Sequence, residues 1–253
     1  MLDGACSSAV NDGSRFVIEP FTPNCRAVCD AAAHVVMGVS PNNSYFRVPR
    51  LTELLGWLCG TFARVDVVIP DSALVHTHLA LGYGPDRARK KARDETSVLR
   101  SRVQRAWKAA GGLGKGHQVH LMSTLLGRPA YQRLLGQVRE TLATGGELRA
   151  TCLAMSRQVL SARLRETPTQ AQLELAVDYL VAELPFFLDS AAIFGTTSSL
   201  CFYHRPVPLA DLVFSGRTAL RPSARQGYAL IYPSGAEDVP PDARRATAGG
   251  AGC

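Results

Sequence analysis

Long hydrophobic runs are missing from this chain. Its most apolar stretches, His34–Val39 and Val65–Pro70, last only a few residues, against the roughly 18 that a membrane-spanning helix requires. No membrane span is expected. The residues after Met1 carry neither the basic nor the apolar segment of a secretory signal, so the cytoplasm is the expected compartment.

Paired cysteine spacing is missing too. The seven cysteines are an odd, scattered set, and three residues separate Cys25 from Cys29 where a redox or zinc motif has two. A disulfide scaffold is excluded, and free thiols in a reducing compartment are expected. His76 with His78 and His117 with His120 have no cysteine or acidic neighbour at zinc-site spacing, so no metal is expected. Nucleotide motifs fail as well. Lys115 lies between Gly114 and Gly116, but no Ser or Thr follows it, and Ala109 stands where a P-loop begins with Gly. With no strand-linked G-x-G-x-x-G either, no NAD, ATP or other cofactor is expected.

What remains is an ordinary globular composition. Of 253 residues, 46% are hydrophobic and 19% charged, and a chain of this length buries roughly 70–75% of its unfolded surface. The net charge of +7 points to an anionic partner, and its placement is informative. Between Pro85 and Lys108, Ala88, Ala92, Leu99, Val103 and Ala106 form the apolar stripe of a long helix. Around it stand Arg87, Arg89, Lys90, Lys91, Arg93, Arg100, Arg102, Arg105 and Lys108 against Asp86, Asp94 and Glu95, a local balance of +6 that accounts for nearly all of the net charge. Like charges this dense repel unless an anion offsets them.

Strand, helix and strand follow one another over His34–Val39, Leu51–Phe62 and Val65–Pro70, the βαβ pattern of a parallel sheet. Further strands are expected at Gln118–Met122, Ser199–Tyr203 and Tyr228–Tyr232. Helices are expected at Pro129–Ala143, Glu147–Leu164, Thr169–Asp189 and Leu209–Phe214. The sum is a single α/β domain over 34–233, a mostly parallel five-stranded sheet flanked by helices, after a poorly determined leader (1–33) and before a disordered tail (234–253).

Ser40 directly follows the first strand, at the carboxyl end where α/β sheets place ligands. Two readings are open. Ser40 can be a helix N-cap with Pro41 at the first helical position, or a reactive hydroxyl. A serine-hydrolase elbow is disfavoured: Asn42 replaces the second Gly of G-x-S-x-G, and Pro41 has no N–H to stabilise an oxyanion. Tyr179 and Glu183 stand four apart on one helix face, where a phenol and a carboxylate can hold an ammonium group.

Four blocks in order carry a resemblance: Gly38-Val39-Ser40-Pro41-Asn42-Asn43-Ser44-Tyr45-Phe46, Asp66-Val67-Val68, Tyr179-Leu180-Val181-Ala182-Glu183-Leu184-Pro185, and Ser198-Ser199-Leu200-Cys201-Phe202-Tyr203-His204. Together they resemble the motifs of the cyclodipeptide synthases, in the subfamily marked by Asn43, Tyr203 and His204. The resemblance implies a Rossmann-like domain similar to class I tyrosyl- and tryptophanyl-tRNA synthetases, and no cofactor. It implies that two aminoacyl-tRNAs are joined into a 2,5-diketopiperazine through an aminoacyl-enzyme on Ser40 and a dipeptidyl-enzyme. Tyr179 and Glu183 would hold the amino group, Tyr203 relay protons, and Asn43 and His204 position the loops around Ser40. Gly38, Val36, Val68, Phe186 and Cys201 would border the first aminoacyl pocket, whose apolar character favours a hydrophobic amino acid. The basic helix would dock tRNA through phosphate contacts. No DNA or membrane partner is expected, and the chain is expected to be a monomer. A non-catalytic RNA-binding module needs the basic helix alone, without Ser40, Tyr179, Glu183 and Tyr203.

Overall fold

The computed structural model describes residues 15–41, 43–112, 114 and 116–234. Its elements are β1 (Phe16–Pro20), α1 (Pro23–Asp30), β2 (His34–Gly38), a 3-10 turn (Ser44–Phe46), α2 (Val48–Thr61), β3 (Arg64–Ile69), α3 (Leu74–Ala80), α4 (Pro85–Ala109), β4 (Gln118–Leu121), α5 (Met122–Leu125), α6 (Pro129–Ala143), α7 (Gly146–Ser161), α8 (Gln170–Phe194), β5 (Ser199–Tyr203), α9 (Pro208–Phe214) and β6 (Gln226–Pro233). The strands form one sheet in the order β1-β6-β5-β2-β3-β4. All neighbours run parallel except β1, which pairs antiparallel with β6.

Alternation along β2 divides the core. Val35 and Met37 face one side of the sheet, where α2 and α4 contribute Leu51, Leu54, Leu55, Leu58, Leu99, Val103 and Trp107. Val36 faces the other side, with Val68 and Cys201, under α6, α7, α8 and α9. Helices on both faces explain why β2 and β3 read as mostly apolar runs, interrupted by His34 and Asp66.

The sheet has six strands, one more than expected. The additional strand, β1, and α1 lie within the stretch expected to be a leader. Thr22 caps α1 by accepting from the Cys25 amide at 3.1 Å, with Pro23 in the first turn, a start signal that was legible in the sequence. Residues 1–14 and 235–253, which include the rest of the expected leader and nearly all of the expected tail, lie outside the described residues. The N-cap reading of Ser40 is overturned: no helix begins at Pro41, and the cap of the next turn is Asn43, whose side chain accepts from the Tyr45 amide at 2.9 Å.

Three further helices differ from expectation; the first is α5, which begins at Met122, a residue expected to end a strand. α3 was not anticipated, because His76, Thr77 and His78 interrupt its apolar pattern. α8 runs past Asp189 to Phe194. Asp189 leaves helical geometry (φ −161°, ψ 69°), yet its side chain accepts from the Ala192 amide at 2.9 Å and so caps a continuing segment. The start of α8 is a capping box between Thr169 and Gln172. Its phase points Tyr179 and Glu183 toward the end of β2.

Candidate active site

Ser40 lies just beyond β2, the strand at the centre of the parallel sheet, held by Val39, whose amide donates to the Val68 carbonyl at 3.2 Å. Beside it Gly38 faces open space: a Cβ built there meets nothing within 4 Å. The Ser40 hydroxyl is within hydrogen-bonding reach of two phenols, Tyr179 from α8 and Tyr203 from the end of β5. Tyr203 also accepts a hydrogen bond from Asn43 Nδ2 at 2.9 Å. Five expected catalytic residues, Ser40, Asn43, Tyr179, Glu183 and Tyr203, therefore meet at one place.

Burial sets their charge states. Tyr179 is pushed well above the usual phenol range, first by burial and then by the Glu183 charge. Tyr203 is raised by burial, against the hydrogen bond with Ser40. Both phenols stay protonated near neutrality, and Tyr179 spends its one donor on Glu183. Burial raises Glu183 to about 7, with the Tyr179 hydrogen bond pulling the other way. A carboxyl near that value can accept a proton from an amine at working pH.

His204 sits one step back, its ring 4.3 Å from that of Tyr203 and stacked on Tyr45. Burial lowers it to about 4, so the imidazole is neutral. Together with Asn43, Arg47, Arg50 and Arg205 it borders a cleft of about 640 Å³ at the ends of β5 and β6.

The expected pocket residues are buried in one cluster: Val36, Val68, Phe186 and Cys201 are all 6% exposed or less. The Cys201 thiol turns to α8, donating to the Phe186 carbonyl at 3.0 Å, and burial raises it to about 11. Asp66 lies deeper on the same face. Fully buried, it accepts from Arg64 at 2.6 Å and pairs with His34 at 3.1 Å and His120 at 3.3 Å. The motif containing Asp66 was noticed in the sequence, but its partners come from three strands and no local spacing announces them. Among the described residues, no group of three or more His, Cys, Asp or Glu side chains is arranged to hold a metal.

The basic residues of α4 divide by role. Arg93, Arg100 and Arg105 are exposed, and Arg89, Arg93 and Arg100 border a groove of about 380 Å³. Arg89 pairs with Asp86 and Lys90 with Asp94, both in solvent, where such pairs contribute little. Arg87 and Lys91 lie over the Tyr83 ring at 5.0 and 4.8 Å. Arg102 is half-buried and donates to the Phe46 carbonyl at 3.3 Å, so it ties α4 to the turn beside the site.

The molecule is of a definite class: an α/β domain that brings a serine at the end of its central parallel strand together with two phenols and a carboxylate. Over residues 16–233 the chain matches the family model described as cyclodipeptide synthase. It is 35% identical to the cyclo(L-tyrosyl-L-tyrosyl) synthase of Mycobacterium tuberculosis (strain ATCC 25618 / H37Rv), over 87% of this chain and 77% of that one. To the cyclo(L-leucyl-L-leucyl) synthase of Bacillus subtilis (strain 168) it is 32% identical, over 85% and 89%. A Mycobacterium tuberculosis structure that relates cyclodipeptide synthetases to type I tRNA synthetases matches with a TM-score of 0.76 at 34% identity, over 87% of this chain and 94% of that one. A cyclodipeptide synthase from Candidatus Glomeribacter gigasporarum, bound to Phe-tRNAPhe, shares the fold with a TM-score of 0.56 at 18% identity, over 82% and 91%. The chain belongs to the cyclodipeptide synthase family, and its domain is Rossmann-like. It is an enzyme that forms peptide bonds. Among the described residues, no helix is long and apolar enough to cross a membrane.

Proposed function

We propose that this synthase draws both amino acids from aminoacyl-tRNAs and works by covalent catalysis on Ser40. The observation that carries the reading is the convergence of Ser40 with Tyr179, Tyr203 and, through Tyr179, Glu183. Ser40 Oγ attacks the ester carbonyl of the first aminoacyl-tRNA; the ribose oxygen leaves with a proton, and an aminoacyl ester remains on Ser40. Tyr179 and Glu183 hold its ammonium group. Glu183 accepts a proton, and the freed amine attacks the ester of the second aminoacyl-tRNA, expelling that tRNA and leaving a dipeptidyl-enzyme. The terminal amine then attacks the Ser40 ester. A diketopiperazine departs, Ser40 regains its hydrogen, and Tyr203 carries the proton between them.

The groups that meet Ser40 are phenols where a serine hydrolase brings an imidazole, which favours transfer over ester hydrolysis. The exposed arginines of α4 supply sequence-independent contacts to tRNA phosphates. Val36, Val68, Phe186 and Cys201, buried in one apolar cluster on a single side of the sheet, favour a hydrophobic first residue. The protein acts as a monomer, over a catalytic domain that takes in β1 and α1 as well as 34–233, in the cytoplasm where charged tRNA is found.

The test is mass spectrometry of medium from bacteria expressing the chain, beside bacteria expressing Ser40→Ala. New masses equal to two amino-acid residues, present only with Ser40, are expected. Masses unaffected by Ser40→Ala would refute the covalent role. Soluble protein that makes no such product from defined aminoacyl-tRNAs would leave a tRNA-binding module as the better account.

A further inference from the structure

Behind the phenols at Ser40 lies a stack of rings. Tyr45 lies flat on His204, centroids 3.9 Å apart and planes 7° from parallel. His204 leans on Tyr203 at 4.3 Å, and Phe46 meets His204 edge-on at 5.9 Å and 86°. His204 follows the last residue of β5, so no strand pairing fixes it. Its Nδ1 is buried without a hydrogen-bond partner, and the ring is neutral because burial, and secondarily the Arg205 charge, disfavour protonation. Neither charge nor that nitrogen anchors it. Ring packing does.

Tyr45 is in turn set by Asn43. The same side chain that accepts from the Tyr45 amide through Oδ1 donates through Nδ2 to the Tyr203 hydroxyl, each at 2.9 Å. One short loop therefore grips both residues at the end of β5, Tyr203 by its hydroxyl and His204 by its face. The Tyr45 hydroxyl is buried with no partner, so its ring, and not its hydroxyl, holds the stack.

We propose that Tyr45 is a positioning residue for the steps that follow acylation: its ring clamps His204 against Tyr203 and keeps the Tyr203 hydroxyl between Asn43 and Ser40. The proposal rests on the acyl-enzyme reading above. Tyr179 and Glu183, which receive the first aminoacyl group, belong to α8, a different element from the turn and the end of β5 that carry the stack. Loosening it disturbs proton transfer through Tyr203 more than it disturbs loading of Ser40.

The experiment compares Tyr45→Phe and Tyr45→Leu with the unchanged chain, using bulk tRNA charged with labelled leucine, phenylalanine and tyrosine. Two quantities are followed: label bound to protein through Ser40, with Ser40→Ala as the blank, and labelled cyclic dipeptide. Tyr45→Phe is expected to stay within about twofold in both. Tyr45→Leu is expected to load Ser40 within about threefold of normal but to release product at least tenfold more slowly, so that label accumulates on the protein. Equal loss in both steps, a Phe variant as impaired as the Leu variant, or normal product release from Tyr45→Leu would each overturn the proposal. If Tyr45→Leu melts far below the unchanged chain, His204→Leu must show the same split, and its absence is equally fatal. An unchanged chain that makes product without ever labelling Ser40 refutes the acyl-enzyme reading itself, which separates that failure from failure of the clamp.

Discussion

Replacing Glu183 by Gln keeps the shape of the side chain and removes its charge. In the proposed reaction that carboxylate faces the ammonium of the aminoacyl group, beside the Tyr179 hydroxyl, in a site where burial has already raised it to about 7. A hydrogen bond to a charged group contributes about 1.5–3 kcal/mol, and removing one partner of a buried charged pair costs about 2–5. Glu183 is only partly buried, so the lower overlap of about 2–3 kcal/mol applies, which is about 30- to 150-fold in kcat/KM. The pH dependence gives a second handle. Only the ionised carboxyl binds ammonium and accepts its proton, so activity is present above the raised pKa and lost as pH falls through it. With that pKa at about 7, lowering the pH from 8 to 6 removes about nine-tenths of the ionised form. The substrate amine titrates in both proteins, so the difference between the two profiles belongs to Glu183. The assay is initial-rate formation of cyclic dipeptide from defined aminoacyl-tRNA between pH 6 and 8, with circular dichroism confirming the fold. A Gln variant within threefold of the unchanged enzyme, or two profiles of the same shape, would refute the assignment.

Two further outcomes are expected. Changing Arg93, Arg100 and Arg105 together to Ala weakens tRNA binding and lowers the slope of log affinity against log salt by about 2–3, since each lost phosphate contact removes about 0.7–0.9; an unchanged slope in filter binding counts against α4 as the docking surface. Asp66→Asn leaves Arg64 and two histidines facing an amide. Losing one partner of a buried pair costs about 3–5 kcal/mol, here discounted to about 2–4 because Arg64 is 26% exposed, which corresponds to a melting temperature lower by about 5–15 °C. The contribution has a defined sign. Asp66 titrates below its usual range, chiefly because the His120 and His34 hydrogen bonds outweigh burial, so its stabilisation is present above the unfolded carboxylate pKa and fades as pH falls through the folded one. His34 is likewise lowered, by burial, and its share is lost from about pH 6.5 downward. A melting temperature for Asp66→Asn within 2 °C of normal would show the cluster to be slack.

Much of this architecture was legible because the relevant signals are local. The apolar runs of β2 and β3, the stripe of α4 and the Thr169 cap of α8 each depend on residues a few positions apart. Tyr179 and Glu183 could be paired on helical spacing alone. β1 was missed because an edge strand of five residues takes its order from β6, more than two hundred residues later. Ser40 could not be told from a helix cap, since Ser-Pro serves both purposes and the decision lies with Asn43, which takes the cap itself. The Asp66 cluster and the Tyr45 stack needed strand order and a loop geometry that no spacing encodes. Arg102 looked like one more phosphate ligand until its bond to Phe46 set it apart from its neighbours.

The place of the proposed nucleophile on the sheet bears on how long the proposed intermediate waits. β2 is covered on both faces and paired on both edges, with Val35, Val36 and Met37 all at 4% exposure or less. Amides in such a strand exchange with solvent only when most of the domain opens, the rarest of its fluctuations. In the proposed mechanism an ester on Ser40 is thus anchored to the slowest-opening part of the molecule. On that reading the centre of the sheet is a still platform that preserves the amino acid between the two halves of the reaction.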